Sequence, residues 1–225
     1  MPAYDKHVGV FSPEGRIYQT EYAVKSVSLA PTGLALTAKN CTIFVSETVQ
    51  SSPLQVLPPS FQMIDKHIAA LPIGYPADAR ALISYLRSEA QSHWFNFEEP
   101  VPIQLLTEEL SEKFTNFGKQ KKNEQKMGRP FGCAVLLATK DELYYCDPAG
   151  NSIKYKAKAA GSGGLTAQEE LERQWTKLPE KEALQIAVSI MKGVIEGGVE
   201  TLSVAVLSEN GLRTLTVDEI KTLLV

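Results

Sequence analysis

The sequence predicts an α+β fold in which two antiparallel sheets are stacked face to face and helices cover both outer faces, a four-layer αββα sandwich. Runs of strand-like segments alternate along the chain with pairs of amphipathic helices, whereas a parallel sheet would alternate one strand with one helix. Two pairs of these segments are joined by polar two-residue turns, as in antiparallel hairpins. The 225 residues are enough for one sizeable core, and we expect a single domain over residues 1–225.

The N-terminal part of the chain is predicted to contain one helix followed by two hairpins. Ala23, Val24 and Val27 stand at helical spacing and predict a helix from Tyr18 to Ser28, and the helix breakers Pro31 and Gly33 follow it. Four short strands come next, at residues 34–38, 41–47, 61–64 and 67–72.

Two long amphipathic helices follow the hairpins. Each has a proline where its first turn is predicted, Pro76 and Pro102, since the N–H that proline lacks has no helical partner there. The apolar stripe of the first helix extends to Trp94, which we therefore expect to be buried. The second helix is expected to stop at Gly118.

The C-terminal part is predicted to return to strands and then to helices. The strands are expected at residues 132–139, 142–147, 152–159 and 201–207. Thr166 and Glu169 form a capping-box pattern that predicts a helix start, and another helix begins at Pro179. A second such pattern, Thr216 with Glu219, predicts a short terminal helix.

Composition and charge exclude two classes of partner. The 23 lysines and arginines against 26 aspartates and glutamates give a net charge of −3, with no basic surplus for a nucleic-acid backbone. The longest apolar stretches are well short of the ~20 residues that a membrane helix needs. The first residues also lack the apolar core of a signal peptide. We expect a soluble intracellular protein without nucleic-acid or membrane partners.

No cofactor and no metal are expected. His7, His67 and His93 are far apart, and none stands at a metal-ligand spacing. The glycine-rich segment 161–164 matches neither of the phosphate-binding patterns GxxxxGK[ST] and GxGxxG. This favours a strand-to-helix turn over an anion site. The three cysteines form no CxxC pair and are expected to be reduced, buried thiols. The basic cluster at 119–126 is interpreted as a solvated loop, with a nuclear-import patch as the alternative.

One stretch carries a specific family resemblance. Residues 4–23, YDKHVGVFSPEGRIYQTEYA, closely resemble the N-terminal signature of alpha-type subunits of the 20S proteasome, with Lys6 where that family usually has arginine. Three further motifs resemble the same family: GYPADAR at 74–80, RPFG at 129–132 and CDPAG at 146–150. Among eukaryotic subtypes, the chain looks most like alpha type 6.

The resemblance implies the N-terminal-nucleophile hydrolase fold of the proteasome type, with residues 1–30 as a gate segment and outer-face helix. It implies a non-catalytic subunit of a seven-membered ring, in contact with other alpha subunits and with beta-ring subunits. Such a subunit gates substrate access and docks regulatory particles or activators, in ubiquitin-dependent and ATP-independent protein degradation. The implied location is the cytoplasm and the nucleus.

Two other functions compete with this one. A catalytic member of the family is a hydrolase whose N-terminal threonine uses its own amine as the base, so that the nucleophile must stand at a chain end. By the resemblance, the corresponding position here is Pro31, behind 30 residues that belong to the fold. We therefore expect no peptidase activity from this chain. The second competing function is that of a free-standing binding module.

The resemblance places a gate cluster at Tyr4, Asp5, Pro13 and Tyr22, four positions that in alpha subunits stabilise the open gate. Proline fixes its φ and cannot donate a hydrogen bond, so a turn at Pro13 can present a rigid edge. The two phenols and the carboxylate can hydrogen-bond across it or to the next subunit. The alternative for Tyr22 is a packed helix aromatic.

The resemblance also implies a weak pocket for the C-terminal tails of activators. It places Ala30, Ser60, Gly74 and Tyr75 at the pocket positions. Ser60 takes the place of a lysine that commonly receives the tail carboxylate. Serine offers a hydrogen bond without charge, and charge-assisted bonds are roughly twice as strong. Lys66 lies in the turn at the far end of the strand, ~20 Å away, and is not expected to replace that lysine.

Overall fold

The computed structural model of the protein describes residues 9–50, 52, 54–116 and 128–224. Tyr4 and Asp5, the expected helix stop at Gly118 and the basic cluster at 119–126 lie outside these ranges. Within them, no helix combines the length and the apolar character needed to cross a membrane.

Two five-stranded sheets form the middle of the described structure. The first consists, in spatial order, of β10 (Gly211–Thr214), β9 (Leu202–Ser208), β2 (Thr42–Glu47), β1 (Gly33–Thr37) and β8 (Ala157–Ala160). The second consists, in spatial order, of β3 (Gln62–Asp65), β4 (Ile68–Gly74), β5 (Cys133–Ala138), β6 (Leu143–Cys146) and β7 (Ser152–Tyr155). All neighbouring strands in the two sheets are antiparallel, which confirms the predicted pairing of β1 with β2 and of β3 with β4.

Six α-helices lie in the described ranges. They are α1 (Tyr18–Ser28), α2 (Pro76–Phe97), α3 (Ile103–Thr115), α4 (Gly164–Gln174), α5 (Glu180–Val194) and α6 (Val217–Thr222). A 3₁₀ turn, Val199–Thr201, precedes β9. The bounds of α1 are those that the sequence predicts, and α6 begins with the predicted capping box at Thr216 and Glu219.

Three apolar layers hold these elements together and confirm the αββα sandwich. One joins α2 and α3 to the outer face of the second sheet, with Leu86 and Leu137 fully buried in it. Another joins α4 and α5 to the outer face of the first sheet, with Met191 and Val204 fully buried. The third layer fills the space between the sheets and contains Phe44. Helix α1 contacts β4 and β5 and adds the side chain of Val27 to this third layer.

The single strand predicted at residues 152–159 is wrong, because the chain changes sheets within it. Strand β7 pairs with β6 in the second sheet, whereas β8 pairs with β1 in the first. The break falls at Lys156, whose carbonyl accepts hydrogen bonds from the backbone N–H (2.8 Å) and the hydroxyl (3.0 Å) of Thr37. Lysines continue to occupy every second position from Lys154 to Lys158, on both sides of the break. The sequence periodicity therefore does not indicate that the strand ends there.

Two further local predictions are wrong. Trp94 is 56% exposed, because the last buried residue of α2 is Ala90 and the final two turns extend past the core. Thr166 does not cap α4, which begins two residues earlier, after Gly163. Gly163 is the residue that precedes the helix, and its N–H donates to the hydroxyl of Thr32 (2.9 Å). All three cysteines are free thiols and buried, as predicted.

Candidate functional site

A tight turn precedes α1 and presents Pro13 to solvent. The N–H of Ser12 donates to the carbonyl of Arg16 (2.8 Å), and the carbonyl of Ser12 accepts from the N–H of Gly15 (2.9 Å). The buried hydroxyl of Ser12 accepts a third hydrogen bond, from the N–H of Arg16 (3.2 Å). Gly15 has φ = 77°, a conformation that glycine adopts without strain. These bonds fix the turn at both ends, with Pro13 exposed between them.

An ion pair ties this turn to the helix that carries Tyr22. The Nε of Arg16 donates to Oε1 of Glu21 (2.7 Å), a second hydrogen bond joins the same two groups, and the pair lowers the pKa of the Glu21 carboxyl. Tyr22 is 52% exposed, and its ring stacks on that of Tyr18 at 6.3 Å between centroids. Pro13 and Tyr22 are thus exposed side chains on a turn and a helix that the Arg16–Glu21 ion pair joins. Their partners in the predicted cluster, Tyr4 and Asp5, lie outside the described residues.

The four residues of the predicted activator pocket lie at one end of the sandwich. Gln62 pairs with Ala70, so Ser60, two residues before Gln62, lies toward the end of β4 at Gly74. The direct neighbours of Ser60 and Gly74 in the chain, Phe61 and Ile73, share the layer between the sheets with Ala30. Tyr75 follows Gly74 directly and is 53% exposed.

The pocket set contains no cationic side chain. Ser60 is partly buried in front of β3, and the only lysine close to it in the chain is Lys66. Lys66 lies in the turn between β3 and β4, at the opposite end of β3. The distance predicted from the sequence between Lys66 and Ser60 is therefore consistent with the strand geometry.

Gly74 is a position where no other residue fits. Its φ is +139°, and a Cβ built on it would lie 2.3 Å from the carbonyl oxygen of Gly132. The same carbonyl accepts the N–H of Tyr75 at 2.8 Å. The close approach of these two backbone segments fixes the path of the main chain where β4 ends and Tyr75 follows.

The structure also assigns a role to Asp78 and Arg129, two residues of the family-like motifs whose role is not evident from the sequence. The carboxylate of Asp78, 10% exposed, accepts hydrogen bonds from Nη1 (2.7 Å) and Nη2 (2.8 Å) of Arg129 and from the N–H of Gly132 (2.8 Å). Burial opposes ionisation of Asp78, but these hydrogen bonds outweigh it, so the pKa of its carboxyl is lowered. The signal in the sequence was the pair of motifs GYPADAR and RPFG, which meet here.

A cavity of about 390 Å³ lies between α1 and these motifs. Its lining consists of Gln19, Tyr22, Ala23, Ser26, Tyr75, Asp78, Arg129, Pro130 and Gly132. It therefore brings together one residue of the predicted gate cluster, Tyr22, and one of the predicted pocket, Tyr75. We call this cavity the Arg129 groove.

The entrance to β1, which follows the position Pro31 that the resemblance aligns with a catalytic nucleophile, is held in the fold by hydrogen bonds on both sides. Thr32 is 1% exposed, its backbone N–H donates to the carboxylate of Glu47 (3.0 Å), and its hydroxyl accepts the N–H of Gly163. The carbonyl of Ala30 accepts the N–H of Ser162 at 2.8 Å. The nitrogen of Thr32 is an amide in a continuous chain that arrives from α1, and an amide cannot act as a general base. The described residues also contain no cluster of three or more metal-ligating side chains.

Comparison with known proteins gives a consistent set of matches. A family model described as "Proteasome subunit" matches residues 27–207, and a model of the N-terminal signature of A-type proteasome subunits matches residues 4–25. The alpha type-5 proteasome subunit of Dictyostelium discoideum is 36% identical over 89% of this chain and 86% of its own length. The probable alpha type-5 proteasome subunit of Schizosaccharomyces pombe is 33% identical over 96% and 92%, respectively. An alpha-type proteasome subunit of the archaeon Pyrobaculum aerophilum is 36% identical over 100% and 94%.

Proposed function

Because this chain belongs to the proteasome subunit family, and its N-terminal region matches the signature of the A-type subunits, we propose that it is a non-catalytic subunit of the alpha ring of a 20S core particle. The observation that carries the proposal is the continuity between that signature and the fold. The residues of the signature lead into α1, which packs on β4 and β5 and runs without interruption into β1.

In this role the chain contributes to ring assembly, to the gating of substrate access and to the docking of regulatory particles or activators. The degradation served is both ubiquitin-dependent and ATP-independent. Its partners are other alpha subunits, beta-ring subunits and the regulators that bind the outer face. The turn at Pro13 and the exposed ring of Tyr22 are the described elements that support gating.

The absence of peptidase activity is part of this proposal. The supporting geometry is the entrance to β1, where Pro31 and the buried Thr32 follow a packed helix. The alternative, an N-terminal-nucleophile hydrolase with its own threonine peptidase activity, requires a mature N-terminus at an internal threonine. The aligned position is Pro31, and the nearest threonine is Thr32, so the chain would have to be cut directly before Thr32. Such a cut would have to free an amine that is now held as an amide against Glu47.

The test is purification of the native assembly through an affinity tag on this chain. We expect native mass spectrometry to give a particle of four stacked seven-membered rings, and the chain itself to retain residues 9–31. A covalent threonine inhibitor should label other subunits and leave this one unlabelled. A chain that starts at Thr32 and carries the inhibitor would establish the hydrolase function, and a chain that purifies alone would favour the binding module.

Location and subtype complete the proposal. We place the chain in the cytoplasm and nucleus, as the eukaryotic family resemblance implies, and imaging of a fluorescently tagged chain checks this. The short motifs resemble alpha type 6, but the relatives described above are two alpha type-5 chains and an archaeal alpha chain, at 33 to 36% identity. The comparisons give type 6 no support, and we therefore propose an alpha position without a subtype, which a cryo-EM map of the particle would assign.

A further inference from the structure

A lysine side chain enters the space between the two sheets where the chain crosses from one sheet to the other. Strand β7 is an outer strand of the second sheet, and β8, which follows it, is an outer strand of the first. Lys158 of β8 is directly opposite Ala35 of β1, and Ala35 is fully buried in the layer between the sheets. Directly opposite residues of an antiparallel pair point to the same face of the sheet. Lys158 therefore points into that layer as well.

Two tyrosine rings of the other sheet flank the amine of Lys158. Its Nζ lies 5.0 Å from the centre of the Tyr155 ring and 5.3 Å from the centre of the Tyr145 ring. The two rings meet edge to face, with 6.4 Å between their centroids, and both pack against the layer between the sheets. The change of sheets at Lys156 is what allows Tyr155 and Lys158, three residues apart, to face each other from opposite sheets.

These surroundings leave the three N–H donors of a lysine ammonium without acceptors. The rings attract a cation, but they offer no lone pairs to its N–H groups. Among the described residues, the Lys158 amine makes no hydrogen bond and no ion pair. The carboxylate of Glu172, whose charge acts on it from α4, accepts a hydrogen bond from Nε2 of Gln168 instead, at 2.9 Å. Burial lowers the pKa of Lys158, and Glu172 opposes this shift without cancelling it.

Lys154, four residues earlier, provides the opposite case. Its side chain is 54% exposed and donates a hydrogen bond to the carboxylate of Glu142. This hydrogen bond raises the pKa of Lys154, and the charge of Glu142 adds to the effect. One short segment of the chain thus carries a lysine whose charged form is stabilised and a lysine whose neutral, nucleophilic form is favoured.

We propose that Lys158 is an acylation site, which takes an acetyl group from an acyl thioester. The lone pair of Nζ attacks the thioester carbonyl carbon, so that a C–N bond forms and the C–S bond breaks. The sulfur leaves with the electron pair of that bond, and the proton lost from nitrogen passes to the thiolate or to water. The product is a neutral amide, and burial beside Tyr145 and Tyr155 no longer opposes a charge. Lys158 is partly exposed, which gives a small donor access to it, and the proposal does not depend on membership of a ring.

Competitive labelling tests the proposal on the purified protein in the assembly that it forms. The protein is incubated at pH 7 with S-acetyl-N-acetylcysteamine, a small acetyl thioester, and is then unfolded. Deuterated acetic anhydride labels the remaining amines, and mass spectrometry gives the fraction of each lysine that the thioester acetylated. We expect Lys158 to react at least about threefold faster than Lys154, since one unit of pKa is a factor of ten in the fraction of neutral amine.

The pH dependence separates the effect of the surroundings from that of access. The ratio of the Lys158 rate to the Lys154 rate should fall by about threefold or more between pH 7 and pH 10, as Lys154 also becomes neutral. A difference in access alone would leave the ratio constant. A Lys158 that reacts no faster than Lys154 at pH 7, or a ratio that does not change with pH, would overturn the proposal.

A pair of variants tests the part of the rings. Tyr155→Thr removes one ring and opens the amine to water, so the decrease of the ratio with pH should become smaller. Ile153→Thr is the control, because it makes a similar change on the same strand at a half-exposed position that contributes no ring to the site. It should leave the decrease as it is in the unmodified chain, and thermal unfolding checks that both variants are folded. The same decrease in Tyr155→Thr as in Ile153→Thr would show that the ring does not set the reactivity of Lys158.

Discussion

Asp78 and Arg129 are joined by two parallel hydrogen bonds of 2.8 and 2.7 Å, although they are 51 residues apart in the chain. Asp78 lies in the first turn of α2 and Arg129 lies just before β5, so the pair closes the wall of the groove between two motifs. The carboxylate is buried, and the guanidinium is about half exposed. One partner is thus structural, whereas the other keeps a face toward solvent.

Asp78→Asn should lower the free energy of unfolding by about 2 kcal/mol at pH 7, because a neutral amide loses the charge-assisted bonds to Arg129. Since the folded state lowers the pKa of Asp78, its contribution is present above the unfolded pKa and is lost as the pH falls through the folded pKa. The difference between the two proteins should therefore shrink in acid. Urea denaturation of the full-length chain from pH 7 downward measures it.

The matched control is Glu21→Gln, which removes one partner of the exposed Arg16 pair. Exposed ion pairs contribute little, so this variant should unfold like the unmodified chain. If Asp78→Asn matched the control at pH 7, the assignment of a structural role to the buried pair would be wrong.

Gly74→Ala should destabilise the chain by about 3 kcal/mol or more, since the residue needs a positive φ and its Cβ would overlap the carbonyl of Gly132. Gly211→Ala is the control: this residue has φ = +93° but nothing within 4 Å of the added Cβ. It should cost only the backbone strain, about 1 to 2 kcal/mol. Chemical denaturation of both variants compares the two effects, and equal losses would show that the approach of the two backbones has no energetic role.

The outline of the fold could be predicted because each helix has an apolar stripe and most strands are bounded by turn residues. Helix α1 and the capping box at Thr216 were found from local signals alone. The split between β7 and β8 could not be found, because it depends on Thr37, more than a hundred residues away, holding the carbonyl of Lys156. The exposure of Trp94 depends on where the core ends, and helical periodicity does not report that.

The candidate site was predictable only as separate motifs. Tyr22 and Tyr75 were assigned to two different functions by resemblance, and the sequence does not show that they line one cavity. The meeting of Asp78 with Arg129 is a tertiary contact between two motifs whose roles had not been identified. The roles of Tyr4, Asp5, Pro13 and Tyr22 at the gate remain predictions.

Tyr22→Phe should reduce the activator-stimulated hydrolysis of a short peptide by the assembled particle, since it removes the hydroxyl predicted to stabilise the open gate. Asp5→Ala should act in the same direction, and we expect a loss of about tenfold at most, the effect of one hydrogen bond. Native mass spectrometry must show normal assembly for the comparison to hold.

Tyr18→Phe is the control for this gate variant, because Tyr18 is on the same helix and its ring stacks on Tyr22. It should leave the stimulation unchanged. Normal stimulation in the Tyr22→Phe particle, or an equal loss in both variants, would show that the Tyr22 hydroxyl has no specific part in gating.

Ser60→Lys should create a carboxylate site where the chain now has a neutral side chain. A cysteine at Ser60 and one at the end of an activator's tail should form little disulfide in the particle, compared with a lysine-bearing pocket of the same ring. The lysine variant, probed with a photo-reactive tail peptide that has a free carboxylate, should gain cross-links near residue 60 by about tenfold, the effect of one charge-assisted bond.

Val56→Lys is the control, since it adds the same charge at a highly exposed position of the preceding loop. Efficient disulfide formation at Ser60 without the added lysine would mean that the tail is held there by groups other than a cation, and an equal gain from Val56→Lys would mean that any added charge in this region attracts the tail.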